Sequence, residues 1–319
     1  MNFSPFKNLP DDFPLPLRIG TRESPMAMVQ AQMVLSALEN IYPALKGNIK
    51  LCPMKTSGDI LFNEPLYLSG GKGLFTKELE HALLSNRVDL AVHSLKDMPT
   101  RLPDGLMLSC FLKRTEARDA FVSFRYESLN ALPLKGRLGT SSIRRAAQSL
   151  NMRPDLTIVP LRGNVNTRLQ KIKNGEMDGS ILSFSGLERL NLEKVAKEIL
   201  DPMVFVPAPG QGVICIEILC SNKALQTLLL PLNDLETQIC IEAERAVLKS
   251  VDGSCRVPVG AWAKKIEGDK VHIQGFLAET TKPPFKASRT VLRSIEGPFH
   301  EATELGKTLG YFLKKDLLC

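Results

Sequence analysis

Two kinds of chemistry stand out in this 319-residue sequence: one thiol on a small-residue turn, and hydroxyl- and arginine-bearing turns that recur along the chain. The thiol lies in Val251-Asp252-Gly253-Ser254-Cys255-Arg256-Val257-Pro258, just after a strong helical pattern. Glycine permits backbone angles that other residues resist, and proline resists further helix, so Cys255 is expected on a loop. Two readings stand for it. A small buried hydrophobe is the commoner fate of a reduced cysteine, and the local residues alone favour it. The other is a thiol that carries an attached group.

The recurring turns are Gly20-Thr21-Arg22-Glu23-Ser24, Thr56-Ser57-Gly58-Asp59, Gly70-Gly71-Lys72-Gly73 and Ser94-Leu95-Lys96-Asp97. Further on come Gly139-Thr140-Ser141-Ser142-Ile143-Arg144-Arg145 and Leu161-Arg162-Gly163-Asn164, with Arg168 one turn later. Together they offer hydroxyls, backbone N–H groups and cations. Arginine suits such turns because its planar fork meets a carboxylate or phosphate with two parallel hydrogen bonds. A single turn of this kind is common on surfaces; a series in phase points to repeated anion binding. Asp97 is the carboxylate to single out, because it follows a buried strand and sits among cations. Capping its own turn or pairing with Lys96 explains it equally well by position. The functional reading is a carboxylate that steadies positive charge developing on a substrate nitrogen. Asp59 has the same two readings with less support. Phe75 could stack on a flat ligand, although a core role is the more usual one.

These turns need elements to hold them. Leu15–Gly20, Ile49–Met54 and Val88–His93 read as strands, with a helix after Ser24-Pro25 and another from about Leu74 to Asn86. Strand and helix alternate, as in an α/β domain with a largely parallel sheet. The pattern restarts near Glu116, with strands at Ala120–Phe124, Leu138–Thr140, Leu156–Pro160 and Gly179–Ser183. Helices follow Ser141 and Asn164. Pro207 to Gly212 reads as a hinge-like loop before a strand at Val213–Leu219. A long amphipathic helix over Asp234–Ser250, alternating segments near 259–263, 271–277 and 288–295, and a last helix over 301–314 suggest a small α+β domain. In α/β sheets, ligands bind at the carboxyl ends of strands and at helix N-termini, which is where the turns fall. Two such lobes with facing loops imply a cleft.

Composition narrows the classes. Hydrophobic content of 44% and charged content of 24% are those of a globular protein, and no apolar run is long enough for a membrane span. The start, with Asp11, Asp12 and four prolines before Arg18, lacks the pattern of a signal peptide. Seven cysteines without a C-x-x-C fit a reduced, cytoplasmic setting, and four scattered histidines give no metal-ligand spacing. The net charge of +7 hints at an anionic partner. Gly70-Gly71-Lys72-Gly73-Leu74 lacks the P-loop spacing, Gly210-Gln211-Gly212 is not a dinucleotide fingerprint, and no G-x-S-x-G elbow occurs. A non-catalytic two-lobed anion receptor is opposed by the missing signal peptide and by the Cys255 loop. A nucleic-acid binder is opposed by the lack of a concentrated basic stripe.

Taken together, the residues resemble those of the porphobilinogen deaminases, or hydroxymethylbilane synthases, over nearly the whole chain. The resemblance is carried by Gly20-Thr21-Arg22 with Ser24, Gly70-Gly71-Lys72-Gly73-Leu74-Phe75 and Val92-His93-Ser94-Leu95-Lys96-Asp97-Met98-Pro99. It continues through Gly139 to Arg145, Leu161-Arg162-Gly163-Asn164, Gln211-Gly212 and Cys255. It implies two periplasmic-binding-protein-like α/β lobes, 1–113 with 212–231 and 114–211, plus a small α+β C-terminal domain, 232–319. It implies a cytoplasmic, monomeric transferase that joins four porphobilinogen molecules with loss of ammonia and releases hydroxymethylbilane. The growing chain is held on a dipyrromethane cofactor, which the resemblance ties by a thioether to Cys255. Asp97 becomes the catalytic group, and amid so many arginines it should tend to stay ionised. Lys72, Ser94, Lys96, Ser142, Arg144, Arg145 and Gly212 are implied for the cofactor; Arg22, Ser24, Phe75, Arg162, Arg168, Arg189 and Gln211 for substrate. No metal is implied, and product hand-off to uroporphyrinogen-III synthase is. Two departures from the family pattern stand out: Gly253-Ser254-Cys255 where Gly-Gly-Cys is usual, and Ser183-Phe184-Ser185 in place of an alanine-rich version.

Overall fold

The computed structural model describes residue 9 and residues 13–60, 73–252, 257–279 and 285–319. These fall into two compact units. The first holds the described residues of Met1–Leu61, Gly71–Lys113 and Val213–Thr237; the second holds those of Arg114–Gly212 and Gln238–Cys319.

In chain order the first unit begins with Leu17–Arg22 (β1), Pro25–Ile41 (α1), Ile49–Met54 (β2), Ser57–Ile60 (α2), Lys77–Leu84 (α3), Leu90–Ser94 (β3) and Leu106–Phe111 (β4). Ser24 caps α1 by accepting from Ala27 N at 3.4 Å, and Pro25 occupies its first turn. The helix buries Ala27, Ala31, Val34 and Leu38 at helical spacing. Its apolar stripe packs on Leu17, Ile19, Leu90 and Val92 of the sheet. The helix after the glycine loop starts three residues later than its apolar pattern suggests. Thr76 N bonds Gly73 O at 3.1 Å, so Leu74 and Phe75 are spent on a turn that opens at Gly73 with φ +76°.

The second unit holds Asp119–Val122 (β5), Arg137–Gly139 (β6), Ile143–Met152 (α4), Thr157–Val159 (β7), Val165–Lys173 (α5), Gly179–Ser183 (β8), Phe184–Arg189 (α6) and Ala196–Ile199 (β9). The chain then returns to the first unit with Ile214–Leu219 (β10) and Lys223–Leu229 (α7). Last come Leu235–Ser250 (α8), Val259–Ile266 (β11), Lys270–Ala278 (β12), Thr290–Pro298 (β13) and Ala302–Leu318 (α9).

Two five-stranded sheets have orders β2-β1-β3-β10-β4 and β7-β6-β8-β5-β9. They share one plan. The strand second from one end, β1 or β6, is parallel to both neighbours, while β10 or β5 runs antiparallel to both of its own. The sheets are therefore mixed, with a parallel half that carries the ligand-type turns. The sequence pattern does not mark β4 and β9, which lie at one edge of each sheet; β9 is four residues long, half of them charged. The third sheet is the antiparallel meander β11-β12-β13, whose own core gathers Val259, Val271, Ile273, Ala243, Val247, Leu309 and Leu313 from strands, α8 and α9. This is the expected class: two α/β lobes and a small α+β C-terminal domain.

Candidate functional site

The sequence-predicted residues form two sets, one in each unit. In the first unit, β1 ends at Arg22 and β3 runs into a 3-10 turn, Leu95–Asp97. Arg22 gives Asp59 a two-pronged salt bridge, with Nε to Oδ2 at 3.2 Å and Nη2 to Oδ1 closer still. Its remaining nitrogen, Nη1, stands 3.9 Å from Asp97 Oδ2. The guanidinium lies 4.3 Å above the centre of the Phe75 ring. That ring also fills the place where a side chain on Gly58 would be, 2.2 Å from the would-be Cβ. Phe75 is thus a platform under Arg22, packed against Gly58 on its edge.

Burial works against a charged Asp59, but hydrogen bonds from Arg22 and Thr56 and the Arg22 charge outweigh it and hold the carboxyl below its usual range. Asp97 keeps a third of its side chain exposed, against 18% for Asp59. Ser94 Oγ donates to Gln30 Oε1 at 3.0 Å and accepts from Gln30 Nε2 at 2.8 Å. Lys96 lies between Leu95 and Asp97 on the same turn. Ser24, two residues beyond the end of β1, spends its hydroxyl on the cap of α1.

In the second unit, Ser142 caps α4 by accepting from Arg145 N at 3.4 Å, and Asn164 caps α5 by accepting from Thr167 N at 2.9 Å. Arg144 and Arg145 do not simply project toward an external anion. Both converge on the buried Asp119: Arg144 Nη2 donates to Oδ2 at 2.8 Å and Arg145 Nη2 to Oδ1 at 2.7 Å. Gln211 Nε2 joins them at 2.9 Å. Arg144 Nη1 also donates to the Val206 carbonyl at 2.6 Å. Burial opposes charge on Asp119, yet the two guanidiniums hold its carboxyl far below the ordinary range. Two cations against one carboxylate leave one positive charge in surplus. Arg145 Nε and Gln211 Oε1 have no partner among the described residues.

Arg189, at the end of α6, donates to Thr115 Oγ1 at 3.1 Å and to the Gly212 carbonyl at 2.7 Å. Both acceptors are neutral, and burial pushes the guanidinium down to about 10. Its Nε has no acceptor among the described residues. Gly212 adopts φ +88°, and a Cβ there would meet Glu116 O at 2.7 Å. The backbone that receives Arg189 therefore requires glycine. Arg168 Nε donates to Gly163 O at 2.8 Å, which folds it back over the turn that carries Arg162. Ser183 Oγ and Ser185 Oγ bond each other at 2.9 Å. Lys72, Ser254 and Cys255 lie outside the described residues.

Dipyrromethane offers several carboxylates and two pyrrole N–H groups. The second unit supplies what such a group needs: surplus buried cation, guanidinium N–H atoms without acceptors, and two capped helix starts. The residues present fit it. Among the described residues, no group of three His, Cys, Asp or Glu could hold a metal. No helix of the described residues is long and apolar enough to cross a membrane.

Sequence reasoning missed Asp119, Glu244 and Gln30. Asp119 had a signal, a charge at the head of a wholly apolar strand, Ala120-Phe121-Val122. Glu244 lies on α8, fully enclosed, and binds Arg114 Nη1 at 2.5 Å, Gly210 N at 2.7 Å and Ala263 N at 2.8 Å. It joins three segments of the second unit, which no spacing along the helix reveals.

Compared with known families, residues 17–227 match the family model described as porphobilinogen deaminase, dipyromethane cofactor binding domain. Residues 238–315 match that described as porphobilinogen deaminase, C-terminal domain. Among solved structures, the chain is similar to a nutrient binding protein from Burkholderia cenocepacia bound to methionine, at 14% identity and a TM-score of 0.43, over 67% of this chain and 90% of that one. It is also similar to an ABC transporter periplasmic substrate-binding protein from Coxiella burnetii, at 14% identity and a TM-score of 0.43, over 70% of this chain and 94% of that one.

Proposed function

The chain belongs to the porphobilinogen deaminase family, and from that premise we propose which of its residues perform the family's reaction. The activity is a transferase activity of tetrapyrrole biosynthesis: four porphobilinogen molecules are joined head to tail, one ammonia leaves at each addition, and hydrolysis releases hydroxymethylbilane. The cofactor is dipyrromethane. When bound, it supplies the free pyrrole carbon from which the chain grows.

Asp97 is the catalytic carboxylate. It is the partly open acid of the first unit, and Arg22 Nη1 stands 3.9 Å from it. A fixed carboxylate there steadies positive charge that develops on a pyrrole or departing ammonium nitrogen. Asp59 occupies the other face of Arg22 and fixes its direction, so that one edge of the fork is left for an incoming acetate or propionate. Arg22, Ser24 and Phe75 bind substrate, and Ser94, Lys96 and Lys72 bind the cofactor. In the second unit Ser142, Arg144, Arg145 and Gly212 bind the cofactor. Arg162, Arg168, Arg189 and Gln211 bind the carboxylates of the growing chain. Cys255 is the attachment point, through a thioether that replaces its S–H bond. The observation that carries this assignment is the surplus of buried cation around Asp119, which a chain gaining two carboxylates per pyrrole would neutralise.

The protein works as a cytoplasmic monomer of three domains, 1–113 with 212–231, 114–211 and 232–319, and passes its product to a uroporphyrinogen-III synthase. The test is the intact mass of the purified protein together with porphobilinogen consumption. Two extra pyrrole units, absent in Cys255→Ser, are the expected result. An unmodified mass in protein that still turns porphobilinogen over would refute the thioether.

A further inference from the structure

The first unit encloses three titratable groups that the proposed reaction does not use. His93 on β3 and Glu217 on β10 form a pair, Nε2 to Oε2, at 3.1 Å. Strand register explains the meeting. Glu217 stands opposite Ala91, and His93, two residues along from Ala91, points to the same face of the sheet. That face is covered by α3, through Leu79, Ala82 and Leu83 packed on Ala91. Glu80 projects from α3 into this apolar layer, at 8% exposure, with Glu217 at 0% and His93 at 5%.

The charges do not balance by themselves. With one proton shared among His93, Glu217 and Glu80, the cluster holds a net negative charge in an apolar enclosure. With two protons it is neutral. Enclosed net charge is costly, so the neutral count is favoured. The groups facing Glu80 among the described residues are Glu217 from β10, His93 from β3 and Glu78 from its own helix. Burial, with Glu217 and Glu78 adding like charge, outweighs the Thr76 hydrogen bond and the neighbouring His93 and raises the Glu80 carboxyl above its usual range. Glu80 Oε1 and Glu217 Oε1 have no hydrogen-bond partner among the described residues, so acceptors stand ready for a further proton.

The cluster also sits behind the site. Glu80 N bonds Thr76 O at 2.8 Å, and Thr76 N closes the turn onto Gly73 O at 3.1 Å. A side chain on Gly73 would come 3.0 Å from Thr76 Oγ1 and 3.9 Å from Glu80 Oε2, so this turn rests on the cluster. Within the turn is Phe75, the platform under Arg22.

We propose that Glu80 is a positioning residue for the reaction, held as a neutral acid beside the His93–Glu217 pair so that the first turn of α3 stays seated and keeps Phe75 beneath Arg22 and next to Asp97. The inference rests on the assignment of Arg22 and Asp97 given above. Deprotonation of Glu80 leaves the enclosed layer with net negative charge, unseats the turn and slows turnover. The variant Glu80→Gln keeps the shape without an ionisable proton.

The test combines two readouts on the full-length protein with its cofactor. In infrared difference spectra of wild type minus Glu80→Gln at neutral pH, the carbonyl stretch of a protonated carboxylic acid is expected. In porphobilinogen turnover, Glu80→Gln is expected to stay within about twofold of wild type and to lose the decline on the alkaline side. Glu80→Ala, which empties the position, should lower kcat by about tenfold or more through misplacement of Phe75 and Arg22. Absence of the acid band, or a Gln variant as slow as the Ala variant, would overturn the proposal. The infrared result is independent of turnover. A wild type with the band but no porphobilinogen consumption would count against the assigned function and leave the neutral acid standing.

Discussion

Arg22 Nη1 stands 3.9 Å from Asp97 Oδ2 while the rest of the same guanidinium is committed to Asp59. One arginine therefore serves two carboxylates, Asp59 the more covered and Asp97 the more open. If the open one is the reacting group, Asp97→Asn should fold normally, retain its cofactor by mass and nearly stop turnover. Near-normal rates in that variant would remove Asp97 from the catalytic role.

The more covered partner predicts a pH effect. Asp59 has a folded-state value below its ordinary carboxyl value of about 3.9. A lowered carboxyl contributes stability that is fully present above the ordinary value and lost as pH falls through the lowered one. Asp59→Asn should thus lose part of its stability at neutral pH and show a shallower decline on acidification than wild type. Denaturant midpoints measured from neutral to acid pH check this; parallel curves would contradict it.

Asp119 carries a different load. It is fully enclosed and answers two arginines and Gln211. Removing its charge leaves both guanidiniums buried without a counterion. Asp119→Asn is expected to destabilise the protein by about 3–5 kcal/mol. Urea unfolding would measure it. A loss well under 1 kcal/mol would mean that water or a shifted side chain compensates the arginines.

Arg189 is the opposite case, a half-buried cation whose acceptors are the neutral Thr115 hydroxyl and Gly212 carbonyl. Burial pushes it down to about 10, a sign that the folded chain disfavours its charge. Arg189→Met should raise the thermal midpoint of the protein while raising KM for porphobilinogen. A lower midpoint with unchanged KM would assign Arg189 to the fold and not to the ligand.

Much of this molecule could be read locally. Ile49–Met54 and Gly179–Ser183 are strands where their apolar runs stand, and Ser24 and Asn164 cap the helices they precede. Caps and periodicity are decided within a few residues, so a sequence displays them. The strands β4 and β9 were not legible; β9 is four residues long and half of them are charged. Among candidate site residues, Arg22, Ser94, Asp97 and Ser142 could be singled out from their place after strands or at helix starts, where ligand-binding turns in α/β sheets fall, whereas Arg189 rests on the family resemblance.

By itself, then, the sequence determined the order of the turns, the residue types in them and, through their combined spacing, the family. Tertiary structure alone decided what those residues touch. Asp119 meets Arg144 and Arg145 across 25 and 26 residues, and His93 meets Glu217 across 124. Such meetings depend on which strands become neighbours and in what register, and a shift of one residue would send each side chain to the opposite face. Phe75 under Arg22 has the same origin: a glycine turn ahead of α3 brings the ring to the end of β1, and nothing in the spacing of the two residues foretells it.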